Sequence, residues 1–567
     1  MSRNANSRFA VNPTNIDIQR SKFKRPHSYK TTFNVGDIIP IYVDPDVLPG
    51  DTYQMDTSKV VRMQTLLTPM MDNMYLDTYF FFVPHRLVWD HWKEFMGENT
   101  ASAWLPQVEY TIPQIEAPAS TGWTAGTIAD YFGVPTGVTG FSVNALPFRA
   151  YALVMNEWFR SEAVTDPLVI PKDDTTVTGV NSGSYITDVA KGGLPFKAAK
   201  FFDYFTGALP SPQLGPDVEI PVAAAADLPV IATDDVHDAG GYTIFGDAYY
   251  NRASHTGIPN AGTSSGGSTW REVSDPVSMT GPWSDPTLTG FWTPTNLWAV
   301  NSGNAAAATI NQLREAFQIQ KFYERLARGG SRYIEIIKSF FNVTSPDARL
   351  QRPEYLGGNR IPININQVIQ QSATEQTSPM GNTAAFSLTT DSHSDFTHSF
   401  TEHGTIIGLM VARYDHTYQQ GLNRFWSRKT RFDYYFPVFA HLGEQEIKCK
   451  EIYLQSDSVV DADGNIVNDK VFAYQERWAE YRYRPSMVTA EMRSNYATSL
   501  DSWHLADDYN ALPSLSDGWI REDKSNVDRV LAVTSSVSNQ LFCDIFFNEK
   551  VTRPMPLYSV PGLIDHY

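Results

Sequence analysis

The sequence is poor in cysteine and has no long apolar run. Of its 567 residues only Cys449 and Cys543 are cysteines, which excludes a disulfide framework and the Cys/His spacing of a zinc site. The longest apolar stretch, 406–412, is far below the ~18 residues of a membrane span. The polar N-terminus lacks the apolar segment of a secretory signal. We therefore expect a protein without a membrane span that is made in the cytoplasm.

Charge is also scarce, and it is unevenly placed. Charged residues make up 19% of the chain, below the ~25% of an average soluble protein. Because interface cores are depleted in charge, this predicts that neighbouring subunits cover much of the surface. Residues 1–30 carry a net charge of +6 and the rest −23, within a total of −17. We predict an extended or disordered N-terminal arm that binds nucleic acid through its seven cations: Arg3, Arg8, Arg20, Lys22, Lys24, Arg25 and Lys30.

Residues 216–304 differ in composition from the rest of the chain. Ala, Gly, Ser, Thr and Pro dominate. The segment contains ten acidic residues, and its basic residues are Arg252 and Arg271, with no lysine. This composition predicts a long surface insertion. A small second domain remains the alternative.

Most of the remaining chain is typical of strands. Five segments are rich in β-branched or aromatic residues and are bounded by turn-forming residues: 73–84, 403–414, 431–442, 446–454 and 540–550. Both cysteines lie in such apolar segments, so we predict that they are buried and inert. The fold class that follows is mainly β, an antiparallel sandwich or barrel.

One helix is predicted at about 305–328, ending at Gly329 and Gly330, where a left-handed cap fits. Its polar residues form one narrow stripe and apolar residues cover most of its remaining surface, which predicts a largely buried helix. The stripe is either solvated or in contact with phosphate or another subunit; it consists of Asn311, Arg314, Gln318, Lys321 and Arg325.

Motifs of enzyme chemistry are missing. The sequence has no GK[ST] phosphate loop, no GxSxG and no HExxH, so we predict no catalytic residue, no metal and no cofactor. Two segments interleave cations with aromatic residues, and this composition fits both single-stranded nucleic acid and a subunit interface. The first contains Arg424, Trp426, Arg428, Lys429 and Arg431, and the second contains Arg477, Arg482 and Arg484.

Long strings of the sequence resemble the major capsid protein of microviruses, the small icosahedral phages with single-stranded DNA, and within them the gokushovirus group. The strongest string is TINQLREAFQIQKFYERLARGGSRYIEIIKSFFNVTSPDARLQRPEYLGGNRIPI (309–363). Others lie in the same order along the chain, at 23–55, 80–99 and 201–216, and in the ending RPMPLYSVPGL. The segment that does not match is 216–304.

The resemblance implies an eight-stranded antiparallel jelly-roll barrel with long insertions. The implied organisation is an arm at 1–30, core at 31–215, an insertion at 216–304 that protrudes at the threefold axes, and core at 305–567. The implied partners are the chain itself through pentamers, the DNA genome, scaffolding, pilot and small basic DNA-binding phage proteins, and a host receptor. The implied location is the virion, after synthesis in the bacterial cytoplasm. A lectin-like β protein and a dedicated single-strand-binding protein remain as alternatives.

Overall fold

Nine antiparallel strands form two sheets in the larger of the two units of the chain. The computed structural model describes residues 19–98, 109–216, 218, 310–372 and 380–558, and four short strands between 230 and 299. One unit comprises Met1–Gly215 and Tyr323–Tyr567, and the other comprises Pro216–Phe322. The strands of the two sheets are β1 (Ser21–Lys24), β2 (His27–Phe33), β3 (Ile39–Val47), β4 (Thr52–Met63), β5 (Met74–Pro84), β6 (Glu354–Pro362), β7 (Thr389–Ser399), β8 (Gly404–Tyr414) and β9 (Leu541–Arg553).

The first sheet has five strands and the second has four. In the first, β1 and β2 both pair with β9, which pairs with β4, which pairs with β7. In the second, the order is β6, β5, β8, β3. Among the described strands no ladder joins the two sheets, so the predicted closed barrel is corrected to two open sheets. The mainly β prediction is confirmed.

The main core lies between the two sheets. Strand β4 alternates strictly, and its buried side chains include Tyr53, Met55 and Val61, as expected when one face of a strand packs inward. Lys59 is a charged residue on this buried face. Its ammonium group donates to Thr78 at 3.2 Å and to an asparagine of β6 at 2.8 Å, so the charge is not left unpartnered.

A second core covers the other face of the four-stranded sheet. Helix α1 (Leu146–Val154) is buried along its whole length and packs there with Phe81, Ile407 and Leu409. Strand β8 is therefore buried on both faces, which explains why its sequence is a continuous apolar run and does not alternate. Gly358 on β6 has φ +147°, and a Cβ at this position would overlap the backbone carbonyl of β5.

The predicted N-terminal arm is corrected in its second half. Residues 21–33 are strands of the five-stranded sheet, paired with β9 from Ser21 opposite Arg553 to Phe33 opposite Leu541. Inward-facing residues alternate here with exposed ones and include Phe23, Tyr29 and Phe33, a period of two that the high density of cations obscured.

Helix α2 (Ile310–Gly329) confirms the predicted helix and its end, since Gly330 has φ +89°. Its predicted burial is wrong for the single chain, because Phe317 is 61% exposed and Ile319 is also exposed. Helix α3 (Tyr333–Phe341) follows. No helix in the described part of the chain is long and apolar enough to cross a bilayer.

The other elements are short. The further strands are Gln114–Glu116, Ser142–Asn144, Val177–Thr178, Val230–Ala232, Gly246–Tyr250, Gly290–Pro294, Leu297–Ala299, Ile365–Ile369, Thr383–Ser387, Thr417–Tyr418, Glu444–Lys448, Val471–Glu476 and Ser486–Met487. The further helices are Trp92–Phe95, Ile128–Tyr131, Asp347–Leu350, Cys449–Ile452, Asp517–Ile520 and Ser525–Val530. Most of the predicted insertion 216–304 lies outside the described residues.

Candidate assembly and nucleic-acid surfaces

Arg25 of the predicted nucleic-acid set points into the protein. Its guanidinium forms ion pairs with Asp44, at 2.5 Å, and with the almost fully buried Glu549. Burial opposes the charged form, but the hydrogen bonds that the guanidinium donates to the two carboxylates raise the pKa of Arg25 above its usual value. Arg25 therefore ties the N-terminal segment to the sheet, and we correct its predicted role. Arg3 and Arg8 lie outside the described residues.

The other N-terminal cations are at the surface. Lys22, Lys24 and Lys30 are exposed and alternate with inward-facing residues, so they lie on one face of the five-stranded sheet. Lys30 forms a solvent-exposed ion pair of 3.3 Å with Asp544. Arg20 is exposed and donates to a backbone carbonyl at 3.0 Å. These four cations remain candidates for contact with phosphate.

The two arginine–aromatic segments, predicted separately, form one surface. We call it the arginine–aromatic patch, residues 424–442 and 477–484. The guanidinium of Arg428 lies 5.1 Å from the ring centroid of Tyr434 and 4.6 Å from that of Tyr481. The backbone N–H of Tyr435 donates to the Tyr481 hydroxyl at 3.2 Å, and the Tyr435 ring packs edge-on against Trp478.

Two arginines of the patch are neutralised within the chain. Arg424 Nη1 lies 3.0 Å from the buried carboxylate of Glu451, and Arg428 Nη2 lies 3.5 Å from that of Glu480. A carboxylate already paired with each guanidinium weakens its attraction for phosphate. These contacts favour the subunit-interface alternative at both positions.

The other predicted cations of the patch lie closer to solvent. The guanidinium carbon of Arg431 lies 4.9 Å from the ring centroid of Phe432, and that of Arg477 lies 4.9 Å from the ring centroid of Trp478. Arg482 forms an ion pair with a glutamate six residues earlier. Lys429 and Arg484 are exposed.

The outer part of the patch is apolar. Trp426 is 71% exposed and Val438 is 87% exposed. An exposed apolar surface of this kind marks an interaction site more often than a free surface. The other large exposed side chains of the patch are Phe425, Phe432, Tyr434, Tyr435, Phe436, Leu442 and Tyr481.

The predicted strand at 431–442 is wrong, and this difference shapes the patch. The segment forms two short 3-10 turns, Arg431–Asp433 and Pro437–Phe439. Its aromatic residues do not alternate with polar ones, and Pro437 cannot donate to a ladder, so no sheet face is available to bury them.

A buried polar cluster surrounds His416, and no sequence motif indicates it. The two ring nitrogens of His416 lie 3.0 Å from a carboxylate oxygen of Asp507 and 2.9 Å from one of Glu522, and all three side chains are buried. Burial lowers the pKa of His416, but the two carboxylates outweigh it and raise the pKa to about 9. The partners lie 91 and 106 residues away, so no local spacing could signal them.

No group of three metal-ligating side chains is placed to hold an ion in the part of the chain that the structure describes. The surfaces described so far support binding between macromolecules. None of them resembles a catalytic cleft.

Comparison with known proteins identifies the family. A family model described as "Capsid protein (F protein)" matches residues 12–563. The chain belongs to this family. Relatives named "Capsid protein VP1" are 41% identical in Chlamydia phage 1, over 98% of both chains, and 40% identical in Bdellovibrio phage phiMH2K, over 100% of this chain and 99% of the relative. A third, from Spiroplasma virus 4, is 40% identical over 96% of both chains.

The predicted resemblance to microvirus capsid proteins is therefore confirmed. Capsid proteins of this family are structural proteins and not enzymes, so the chain is a structural capsid protein of a phage virion that assembles into a shell. Family membership decides against the lectin-like alternative and against a dedicated single-strand-binding protein.

Proposed function

We propose that this chain is the subunit of an icosahedral shell that encloses a single-stranded DNA genome. Closed point-group assemblies form when one subunit carries several complementary edges, and each copy then contributes the same surfaces. Assembly passes through pentamers with the help of a scaffolding protein, and the mature particle also contains pilot and small basic DNA-binding proteins. Synthesis takes place in the bacterial cytoplasm.

The two sheets support an eight-stranded jelly roll as the building block. Because β1 and β2 pair with β9 in one continuous register, they count as a single strand, and each sheet then has four. The chain alternates between the sheets from β2 to β5 and from β6 to β9. Two packed antiparallel sheets of four strands with such crossings are the architecture of jelly rolls, which are frequent in viral capsids.

The observation that carries the assembly proposal is the arginine–aromatic patch. Its outer surface is apolar, while the charges of Arg424 and Arg428 are satisfied by Glu451 and Glu480. Interfaces combine such aromatic and arginine anchors with a lack of free charge at their centre. A second copy of the chain is the occupant, since a shell subunit is surrounded by copies of itself.

The charge distribution supports an orientation in the particle. The lysine-free, acidic segment 216–304 faces outward as a protrusion at the threefold axes and contacts the host receptor. The cationic N-terminal residues face the genome. Limited proteolysis of intact particles tests this orientation, and cleavage of the N-terminal residues with the insertion left whole would contradict it.

Two variants of the patch test the assembly proposal. The apolar variant replaces Trp426 and Val438 by serine, and the charge variant replaces Lys429 and Arg484 by glutamine. Each is co-expressed with the scaffolding protein, and particles are measured by sedimentation and negative-stain electron microscopy at low and high salt. We expect the apolar variant to remain as folded, unassembled subunits and the charge variant to form shells.

The two variants also separate the interface from the nucleic-acid alternative. Circular dichroism of the unassembled subunits checks that both are folded. Normal shells from the apolar variant, together with loss of DNA from the charge variant, would overturn the interface and assign the patch to nucleic acid. A wild-type chain that stays monomeric with the scaffolding protein present would overturn the shell proposal itself.

A further inference from the structure

The register of β9 decides which side chains share the outer surface of the five-stranded sheet. Residues 21–33 pair with 541–553 without a shift, and Arg25 keeps this register by donating its N–H to the carbonyl of Glu549. The odd-numbered residues of β9, such as Ile545 and Phe547, are buried in the core. The even-numbered residues of β1, β2, β4 and β9 therefore share the opposite face, which we call the outer sheet face.

The outer sheet face is cationic although the chain as a whole is acidic. It carries five cations. Among the described residues of these four strands, the carboxylates on this face are Asp56, in a half-buried ion pair of 3.4 Å with Lys550, and Asp544, in an exposed ion pair of 3.3 Å with Lys30. Neighbouring strand positions are mostly serine and threonine. The five cations are Lys22, Lys24, Lys30, Arg62 and Lys550.

Three of these cations have no acidic partner. Lys22 and Lys24 form no ion pair within the described residues, and neither does Arg62 on the other side of β9. Lys22 lies opposite Thr552, near one end of β9, and Arg62 lies opposite Phe542, near the other end. These positions on β9 are ten residues apart, so at ~3.4 Å per residue the unpaired cations span about 34 Å along the strand.

Two aromatic rings lie on the central strand, Phe542 beside Arg62 and Phe546 between Arg62 and the two lysines. Phe546 is 47% exposed and Phe542 is 37% exposed, and both point to the outer face because their numbers are even. They are four positions apart along the strand, a distance of about 14 Å. Sheets that recognise single-stranded nucleic acids place aromatic rings in this way, with cations around them, so that rings stack on bases and cations contact phosphates.

We infer that the outer sheet face binds single-stranded DNA, with Phe542 and Phe546 stacking on bases and Lys22, Lys24 and Arg62 contacting phosphates. This inference rests on the proposed function, in which the shell encloses such a genome. The cations are complementary to a phosphate backbone, but they would also attract a second copy of the chain, whose body carries a net charge of −23. The two exposed rings decide for DNA, because they offer stacking surfaces for unpaired bases. Rings on an open sheet reach bases only where the bases are unpaired, so duplex DNA binds more weakly.

The first test measures binding of fluorescein-labelled oligothymidylate to the purified full-length chain by fluorescence anisotropy. Phe546→Ala should weaken binding about 5- to 100-fold, the loss typical of one stacked base, whereas Phe546→Trp should retain it. Because Phe546 is on the exposed face, the urea midpoint of both variants should match that of the wild type.

The second test separates phosphate contacts from general charge. Replacing Lys22 and Lys24 by glutamine should lower the slope of log K against log salt by about 1.4, as expected for two lost phosphate contacts on a single strand. The control variant replaces Lys93 and Lys338, two exposed lysines away from this face, by glutamine. It has the same net charge and should keep the wild-type slope.

Two results would overturn the inference. One is wild-type affinity in both Phe546→Ala and the Lys22/Lys24 variant. The other is normal DNA affinity in these variants combined with their failure to assemble into shells, which would make the outer sheet face a subunit interface. Shell formation by wild-type chain is scored in the same preparations by electron microscopy, so failure of the proposed function is recognised separately from failure of this inference.

Discussion

The cluster around His416 gives a prediction that can be worked out in numbers. Its imidazole lies between the carboxylates of Asp507 and Glu522, at 3.0 and 2.9 Å, and its side chain is 1% exposed. The pKa of His416 is about 9 in the folded chain and ~6.5 in an unfolded chain. The same ion pair lowers the pKa of Asp507, so the two shifts describe one interaction and are not added.

The sign of the pH dependence follows from the raised pKa. The folded state holds the proton more tightly than the unfolded state, so the stabilisation is complete below pH ~6.5 and is lost as pH rises through about 9. A difference of about 2.5 pKa units, at ~1.36 kcal/mol each, corresponds to roughly 3 kcal/mol of unfolding free energy. For a domain of this size that is a large share of the total.

The assay is urea unfolding of the subunit, followed by tryptophan fluorescence between pH 6 and 9.5. We expect His416→Gln to cost ~3–5 kcal/mol at pH 6, because it leaves two buried carboxylates without a cation, and to lack most of the pH dependence above 6.5. His441→Gln is the control, since His441 is exposed. If wild type and His416→Gln lost stability in parallel over this range, the assignment of the buried charge to His416 would be wrong.

Three further predictions concern the core. Phe547→Ala should cost ~3–5 kcal/mol and Phe546→Ala less than ~0.5 kcal/mol in urea unfolding, because the two neighbours lie on opposite faces of β9; similar losses would contradict the register. Gly358→Ala should lower the thermal midpoint, since its Cβ meets a carbonyl at positive φ, and an unchanged midpoint would contradict that geometry. Burial raises the pKa of Cys543 to about 12 and also that of Cys449, so a chromogenic disulfide reagent should react with both only in urea; rapid reaction of the folded chain would show that they are accessible.

Local patterns predicted most of the central strands. The segments at 73–84, 403–414 and 540–550 became β5, β8 and β9, because continuous or alternating apolar residues leave few other ways to bury their side chains. The segment at 446–454 was predicted only in part, since a strand ending at Lys448 gives way to a short helix, Cys449–Ile452. The pairing order of the strands depends on contacts hundreds of residues apart, which no local pattern contains.

For the candidate surfaces too, local features were predicted from the sequence and long-range contacts were not. The sequence located the cations and aromatic residues of the arginine–aromatic patch, but not the carboxylates that neutralise two of them. Glu451 is 27 residues from Arg424, and Glu480 is 52 residues from Arg428. The N-terminal strand was missed for a different reason. Its Phe23, Tyr29 and Phe33 lie at odd-numbered positions on one side of the strand, and the cations between them were interpreted as the mark of an extended or disordered arm.

Helix α2 shows why burial predicted from sequence can fail for one subunit of a shell. Its composition, apolar around most of its circumference, is typical of a buried helix, yet Phe317 and Ile319 are exposed in the single chain. The low charge of the whole sequence and the apolar surface around Trp426 show the same excess of apolar residues over what one chain buries. Composition is selected in the assembled particle, where neighbouring copies exclude water from surfaces that a single chain leaves exposed. For a capsid family, an apolar surface that the fold does not bury is therefore evidence about the contacts between subunits.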